Sequence, residues 1–222
     1  IEKMLKDKVE SSYPELICVS KNRPLEDVLL INQLGETEFG ENRVQELQKK
    51  QEYFMQLPQA ERLKYNLNWH FIGTLQRNKV KDVVGLVKLI HSVDSLRLMT
   101  RINRVSKQRE LISNILLQVN IAEEESKHGF SVAELEEAID FALTCDNIKL
   151  RGLMTMAPYY DDPSQTQVIF HKAQDLLKTY QKKLGQDFNQ LSMGMSHDYP
   201  YAIAEGATLI RLGSKIFADR NY

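Results

Sequence analysis

The sequence is short of cysteine, of long apolar runs and of net charge. Its 222 residues include two cysteines, Cys18 and Cys145, which are too few for a disulfide framework. Lysine and arginine number 29 and aspartate and glutamate 30, which excludes a generally basic protein that binds nucleic acid. The apolar runs are short and interrupted by charge, so we expect no membrane span. No leading segment has the pattern of a signal peptide, and we therefore expect a cytoplasmic protein.

Short apolar runs alternate with longer stretches of helical periodicity along the whole chain. The predicted strands cover residues 16–20, 37–40, 69–73, 89–93, 115–121, 150–154, 190–193 and 208–212. The predicted helices cover residues 24–34, 43–55, 76–84, 95–107, 131–143, 163–184 and 199–205, and a further helix over residues 1–11 precedes the first strand. No linker interrupts this pattern, so we predict a single domain over residues 1–222.

Alternation of strands and helices indicates an α/β fold with a parallel sheet, because each parallel crossover requires a helix. Eight such units in a chain of 222 residues predict a single (β/α)8 barrel of the TIM type with an extra N-terminal helix. An open, doubly wound sheet is the alternative fold. The absence of a GxGxxG motif after the first strand argues against that alternative.

The loops after strands seven and eight are the first candidate site, because such barrels often bind phosphate groups there. These loops contain Gly194, Ser196, Gly213 and Ser214. Glycine lets a backbone N–H approach an oxyanion closely, and serine adds a hydroxyl donor. The two loops therefore predict a phosphate site, and tight turns without a ligand are the alternative interpretation.

Lys21 directly follows the first strand, and we expect it to lie in a desolvated barrel mouth, where burial favours the neutral amine. A neutral amine forms a Schiff base with an aldehyde. Strand eight pairs with strand one in a closed barrel, so Lys21 is predicted to lie beside Gly213 and Ser214. An amine beside a phosphate site suggests an aldehyde that carries a phosphate, and pyridoxal 5'-phosphate (PLP) fits that description. An ordinary surface lysine is the alternative interpretation.

Arg211 lies on the eighth predicted strand, two residues before Gly213. If its side chain points inward, its N–H groups can meet the ring nitrogen of PLP, which would then stay unprotonated. Pairing with a carboxylate inside the barrel is the alternative. His70 is interpreted as a packed strand histidine, and no histidine spacing resembles a metal motif, so we predict no metal site.

Seven segments follow one another in the order found in a known family. They are LICVSK (16–21), FGENRVQE (39–46), WHFIGTLQRNK (69–79), VNIAEEESKHG (119–129), RGLMTM (151–156), LSMGMSHD (191–198) and AIAEGATLIRLGSKIF (202–217). On these segments the chain resembles the pyridoxal phosphate homeostasis protein family over nearly its whole length. The resemblance implies a PLP-binding barrel similar to the N-terminal domain of bacterial alanine racemases.

The resemblance also implies roles for single residues. Lys21 would carry PLP as an internal aldimine, Arg211 would face the pyridine nitrogen, and Asn42 would line the same pocket. The phosphate contacts implied by the resemblance are Ser196, Gly213 and Ser214.

Proteins of this family look like cytosolic carriers or buffers of PLP that act in vitamin B6 homeostasis without robust catalysis. The expected partners are PLP and PLP-dependent apo-enzymes rather than nucleic acid or membranes, and the expected state is a monomer or weak dimer. One alternative is a PLP-dependent amino-acid racemase with weak activity, although racemisation needs acid/base groups on both faces of the ring. A Schiff-base aldolase that acts on a sugar phosphate is a further alternative, which the resemblance disfavours.

Overall fold

The computed structural model describes residues 13–124 and 128–217. Eight parallel strands form a closed barrel in which each strand pairs with its neighbours in chain order and β8 pairs with β1. The strands are β1 (Glu15–Val19), β2 (Glu38–Glu41), β3 (Asn68–Phe71), β4 (Leu89–Val93), β5 (Ser113–Gln118), β6 (Ile148–Met154), β7 (Gln190–Ser192) and β8 (Leu209–Leu212). The predicted TIM-type barrel is therefore confirmed, and each of the eight predicted strands overlaps an observed one.

Helices surround the barrel in the described part of the chain. They are α1 (Leu25–Gln33), α2 (Val44–Gln56), α3 (Gln59–Arg62), α4 (Leu96–Gln108), α5 (Leu135–Leu143), α6 (Gln167–Leu184) and α7 (Tyr199–Ala204), with 3-10 helices at Arg77–Asp82 and Pro163–Thr166. The short helix α3 was not expected, and the helix predicted for residues 1–11 lies outside the described residues. No helix of the described ranges has the length and apolar character needed to cross a membrane.

Side-chain hydrogen bonds cap the starts of two of the helices. The hydroxyl of Ser95 accepts a hydrogen bond from the N–H of Leu98, which caps the N-terminus of α4. The N–H of Ser131 donates to the Glu134 carboxylate, and the N–H of Glu134 donates to the Ser131 hydroxyl, which together form a capping box before α5. These two caps fix where α4 and α5 begin after strands β4 and β5.

Apolar side chains pack on both faces of the barrel wall. Alternate strand residues face the helices and form the main core, whereas a smaller cluster lies inside the barrel. The inner cluster consists of Ile17, Leu89, Leu116, Met154 and Leu209. Polar side chains fill another part of the described interior.

A bulge interrupts the pairing of β5 and β6. Leu150 pairs with Ile115 and Gly152 pairs with Leu116, so Arg151 is the extra residue on β6. Gly152 adopts a φ of +154°, and a Cβ atom at this position would lie 1.8 Å from the backbone oxygen of Gln190. Close contact with β7 therefore requires glycine at this point of the barrel wall.

We expect Gly152→Ala to lower the free energy of unfolding by more than about 4 kcal/mol, because backbone atoms of two strands would have to separate. Gly35→Ala is the matched control, since Gly35 also has a positive φ, +107°, but nothing lies within 4 Å of a Cβ there. Gly35→Ala should cost only about 1–2 kcal/mol of backbone strain. Urea unfolding of both variants measures the difference, and equal losses would contradict the steric explanation.

Candidate functional site

A cavity of about 800 Å³ opens at the C-terminal ends of the strands. We call it the site cavity. All six predicted site residues line it, namely Lys21, Asn42, Ser196, Arg211, Gly213 and Ser214. Sequence analysis did not single out several other lining residues, which include Thr74, Gln118, His128 and His197. The closed barrel brings all of them together because each one follows or ends a strand at the same face.

Arg211 is the buried cation of the site cavity. Its side chain is almost fully buried, at 4% exposure, and it points into the barrel from β8. Nη1 donates to the Ser192 hydroxyl over 2.5 Å, and Nη2 donates to the backbone oxygen of Thr155 over 3.2 Å. Burial lowers the pKa of Arg211 to about 10, although the nearby Asp198 carboxylate opposes the shift.

No carboxylate of the described residues forms an ion pair with Arg211. The alternative of an arginine paired inside the barrel is therefore wrong. A guanidinium carries five N–H donors, and the two bonds to Ser192 and Thr155 leave donors unused. A buried cation without a carboxylate beside it is costly. This arrangement therefore favours a ligand that supplies an acceptor or a negative charge.

The corner formed by the loops after β7 and β8 is polar and open. The N–H of Gly213 donates to the Ser196 hydroxyl over 3.2 Å, and the Ser214 side chain is exposed. A Cβ at Gly213 would meet Val19 only at ordinary contact distance, 3.5 Å, so packing within the protein does not require glycine there. Gly194 differs, because its φ is +87° and a Cβ would lie 2.5 Å from that of Ala202. Gly194 is thus required by the fold, whereas Gly213 lines the site cavity without being required for packing, and its N–H is paired with a hydroxyl that also lines the cavity.

Lys21 lies at the rim of the site cavity and is exposed. The expectation that burial desolvates its amine is wrong in this structure. The physical reason is a turn: β1 ends at Val19, and the N–H of Arg23 donates back to the oxygen of Ser20, which turns Lys21 outward. The amine is therefore accessible from solvent as well as from the cavity.

Helix α2 holds the backbone on both sides of Lys21. Lys50 Nζ donates to the oxygen of Ser20 over 2.7 Å, and the N–H of Asn22 donates to Glu46 over 2.7 Å. Lys50 also forms an ion pair with Glu41 that is almost completely buried, and Glu41 accepts the hydroxyl of Ser20. Sequence analysis missed this clamp because lysine and glutamate in a polar helix usually face solvent.

We expect Lys50→Met to lower the free energy of unfolding by about 3–5 kcal/mol, because Glu41 would remain buried without a counter-ion. The double variant Lys50→Met/Glu41→Gln should recover most of this loss, since the buried charge is then absent. Urea unfolding measures both variants. Equal losses in the single and double variants would show that the Lys50 contact with Ser20, rather than charge balance, dominates.

Polar side chains also line the barrel interior below Arg211. Ser192 Oγ lies 2.8 Å from His91 Nδ1, His91 Nε2 lies 2.8 Å from His70 Nδ1, and His70 Nε2 lies 2.6 Å from Glu38. Burial, His70 and Arg211 together hold the pKa of His91 well below its usual range. His70 is thus a packed strand histidine, as predicted, but it belongs to a buried polar chain that the sequence did not reveal.

The lower end of this polar chain is an ionised carboxylate. Burial works to raise the pKa of Glu38, but hydrogen bonds from His70 and Lys88 outweigh it and lower the value to about 2. Glu15, Glu38 and His70 lie close enough to share a metal ion. Lys88 Nζ, however, lies 2.9 Å from Glu38 and 3.3 Å from Glu15, so an ammonium group already supplies the positive charge.

Acid should destabilise the protein through His91. Folded His91 stays neutral while unfolded His91 binds a proton below its ordinary pKa of 6.5, so acid favours the unfolded state. Between about pH 6 and about pH 4.5, we expect the free energy of unfolding of wild type to fall by about 1 kcal/mol per pH unit more than that of His91→Gln. Glu38 adds a further loss of unfolding free energy below about pH 4.5. The unfolded carboxyl binds a proton near its ordinary pKa of 4.5, whereas the folded carboxyl stays ionised down to its pKa of about 2.

Urea unfolding at a series of pH values measures this slope. His171→Gln is the control, because it removes a histidine whose side chain is 66% exposed and should keep the wild-type slope. Parallel slopes for wild type and His91→Gln would contradict a neutral, buried His91.

Comparison with known proteins identifies close relatives. The family model "Alanine racemase, N-terminal domain" matches residues 3–221. The pyridoxal phosphate homeostasis protein of Aquifex aeolicus is 38% identical over 208 residues, which cover 94% of this chain and 88% of that protein. The protein of the same name from Escherichia coli K12 is 37% identical over 210 residues, covering 93% and 86%.

A solved structure shows the same architecture. PipY of Synechococcus elongatus PCC7942, in a structure with PLP bound, superposes with a TM-score of 0.84 at 33% identity and covers 98% of both chains. The diaminopimelate decarboxylase of M. jannaschii is 17% identical, with a TM-score of 0.74, and shares the barrel fold. The decarboxylase shows the shared fold alone, whereas the family model and the two homeostasis proteins indicate one family.

Proposed function

The chain belongs to the pyridoxal phosphate homeostasis protein family, and on that basis we propose that it binds PLP in the site cavity and carries or buffers this cofactor. The relative PipY is described with PLP bound, which supports the choice of ligand. In this proposal the protein serves vitamin B6 homeostasis and has no robust catalytic activity of its own.

The observation that carries the proposal is Arg211, a buried guanidinium with unused donors and no carboxylate partner among the described residues. PLP offers a ring nitrogen that accepts such a donor. The phosphate would bind where the Gly213 backbone, Ser196 and Ser214 line the cavity, since these groups offer N–H and hydroxyl donors to an anion. The amide oxygen of Asn42 is buried without a hydrogen-bond partner in the described structure, which also suits a polar ligand.

Lys21 would hold the cofactor covalently. PLP supplies an aldehyde to which a neutral lysine amine attaches reversibly with loss of water. The turn at Ser20–Arg23 and the contacts from α2 hold the backbone on both sides of Lys21 in place at the cavity rim. An attachment point that is exposed suits a carrier, because a second amine can approach it from solvent.

A weak racemase activity is the alternative, and the cavity gives it little support. Racemisation needs a second acid/base group opposite Lys21. His197 lines the cavity, but its Nε2 lies 3.0 Å from the oxygen of Tyr160, and its ring stacks on Tyr159. These contacts engage the ring nitrogen and favour the carrier function over the racemase.

We also propose a cytoplasmic location and transfer of PLP to PLP-dependent apo-enzymes. Both cysteines are buried free thiols, and burial raises the pKa of Cys18 to about 12. Such thiols are inert and agree with a reducing compartment.

The test is a visible absorption spectrum of the purified protein with PLP, followed by borohydride reduction and peptide mass analysis. We expect a yellow protein in which reduction fixes one PLP on Lys21. Lys21→Ala should lose both the colour and the covalent adduct, because no other lysine lines the described cavity. Lys49→Ala, which removes an exposed lysine of α2, is the control and should behave as wild type.

Circular dichroism establishes that both variants are folded, and an alanine racemisation assay on wild type tests the alternative function. A wild-type protein that stays colourless with added PLP would contradict the proposed function. Fixation of PLP on another lysine would contradict only the assignment of Lys21 and would leave PLP binding intact. Rapid racemisation would show that the protein is an enzyme and not a carrier.

A further inference from the structure

Five side chains form a continuous hydrogen-bonded chain across the barrel interior, from Arg211 at the site cavity to Glu38 at the opposite end. Its order is Arg211, Ser192, His91, His70 and Glu38, and the four contacts measure 2.5, 2.8, 2.8 and 2.6 Å. All five residues are buried, with exposures between 0% and 6%. We call it the interior chain. Its members come from four strands, β2, β3, β4 and β7, and from β8 at the cavity end.

The chemistry of Arg211 sets the direction of every bond in the interior chain. A guanidinium has no acceptor, so the Ser192 oxygen must accept from Arg211. The single proton of the Ser192 hydroxyl then goes to its remaining partner, His91 Nδ1. Because Nδ1 accepts, neutral His91 carries its proton on Nε2 and donates it to His70 Nδ1. His70 in turn carries its proton on Nε2 and donates to the Glu38 carboxylate.

Donation in the reverse direction, from His70 toward Ser192, leaves the Ser192 hydroxyl proton without an acceptor in the described part of the chain. If His70 were doubly protonated, it would donate to His91, and His91 would donate to Ser192 from Nδ1. Ser192 would then accept two bonds, and its hydroxyl proton would have no acceptor among the described residues. An unsatisfied donor at a fully buried serine is costly, so the direction from Arg211 to Glu38 is favoured.

The charged groups around the interior chain agree with this direction. Burial together with the neighbouring His70 and Arg211 keeps His91 neutral by lowering its pKa. Lys88 Nζ lies 2.9 Å from Glu38 and also 3.3 Å from Glu15, so the far end remains an anion beside a cation. At the cavity end, the Asp198 carboxylate acts on Arg211 through space and favours its charged form.

The interior chain does not relay protons from one end to the other. Arg211 keeps its proton far more strongly than the Glu38 carboxylate accepts one, because hydrogen bonds from His70 and Lys88 hold the pKa of Glu38 low, at about 2. The hydrogen bonds of the interior chain run in one direction, and the pKa values of its two end groups differ widely. The chain therefore holds groups in place and does not conduct protons. It holds the guanidinium in one orientation and in one charge state.

We propose that Ser192, His91, His70 and Glu38 are positioning residues that fix Arg211 as a permanent hydrogen-bond donor toward the site cavity. The inference deepens the proposed function and rests on it, because the acceptor in the cavity is taken to be the ring nitrogen of PLP. The acceptor must then be unprotonated, so the interior chain selects ligands that present a lone pair at this position.

The first test needs no PLP. In ¹⁵N-labelled protein, the ring nitrogen shifts of His91 and His70 report which nitrogen carries a proton. We expect His91 to be neutral and protonated on Nε2, without change between about pH 5.5 and about pH 8, and we expect His70 to carry a proton on the Nε2 that faces Glu38. A proton on His91 Nδ1 within this range would overturn the inferred direction. This result stands whether or not the protein binds PLP.

The second test compares two substitutions at one position. His91→Gln keeps one acceptor and one donor, so it can continue the interior chain, whereas His91→Leu has neither. We expect His91→Leu to shift the absorption maximum of bound PLP and to weaken PLP binding about threefold to tenfold, as for the loss of one hydrogen bond. His91→Gln should restore most of both properties.

Two further variants complete this experiment. Ser192→Ala changes little volume and interrupts the interior chain next to Arg211, so it should reproduce the spectral shift even if His91→Leu does not fold. His171→Leu, at an exposed histidine bonded to Glu205, should leave the spectrum of bound PLP unchanged. If wild type binds PLP and neither Ser192→Ala nor His91→Leu changes its spectrum, the positioning role is wrong while the proposed function stands. If wild type does not bind PLP, the proposed function fails first.

Discussion

Hydrogen bonding between the first and the last strand determines where the site can form. Residues Glu15–Cys18 of β1 pair with Leu209–Leu212 of β8 and close the sheet. In an open sheet these strands would lie at opposite edges, and Lys21 would be far from Gly213. Closure instead places the Val19 oxygen 3.5 Å from where a Gly213 Cβ would lie, so the Lys21 amine and the backbone of Gly213 share one cavity. Closure also removes both exposed sheet edges.

A barrel of eight strands has an interior that side chains must fill, and branched apolar residues usually fill it. Here apolar residues such as Leu116 and Met154 fill one part, while the interior chain fills another. A buried Arg211 without a carboxylate partner would ordinarily be unfavourable. The hydrogen bonds that continue from it to the anionic Glu38 satisfy each polar group in turn, so the barrel holds a cation at one end and an anion at the other without joining them directly.

The apolar runs in the sequence predict where most strands end. They therefore also predict which residues follow the strands. Lys21 and Gly213 were predicted because an apolar run fixes where a strand ends, and closure follows from the count of strands. His91 and Lys50 were not predicted, because their roles depend on which way a side chain points. The pairing of β4 with β5 shifts register between Ile90 and Val93, and no periodicity in the sequence reveals such a shift. The outward turn at Lys21 was missed for the same reason, since local hydrogen bonds rather than hydrophobicity determine it.

The two ends of the site cavity differ in burial and in hydrogen bonding, and this difference bears on function. Arg211 is fixed by the interior chain and by Thr155, whereas Lys21 and Ser214 lie exposed at the rim. A donor that cannot surrender its proton leaves a ring nitrogen unprotonated, which weakens a pyridine ring as an electron sink. In the proposed function, the end that holds Arg211 therefore favours retention of a cofactor over carbanion chemistry, while the exposed end leaves Lys21, the proposed attachment point, open to an incoming amine. Retention and exchange together are what a carrier needs, and neither supplies the second acid/base group that racemisation requires.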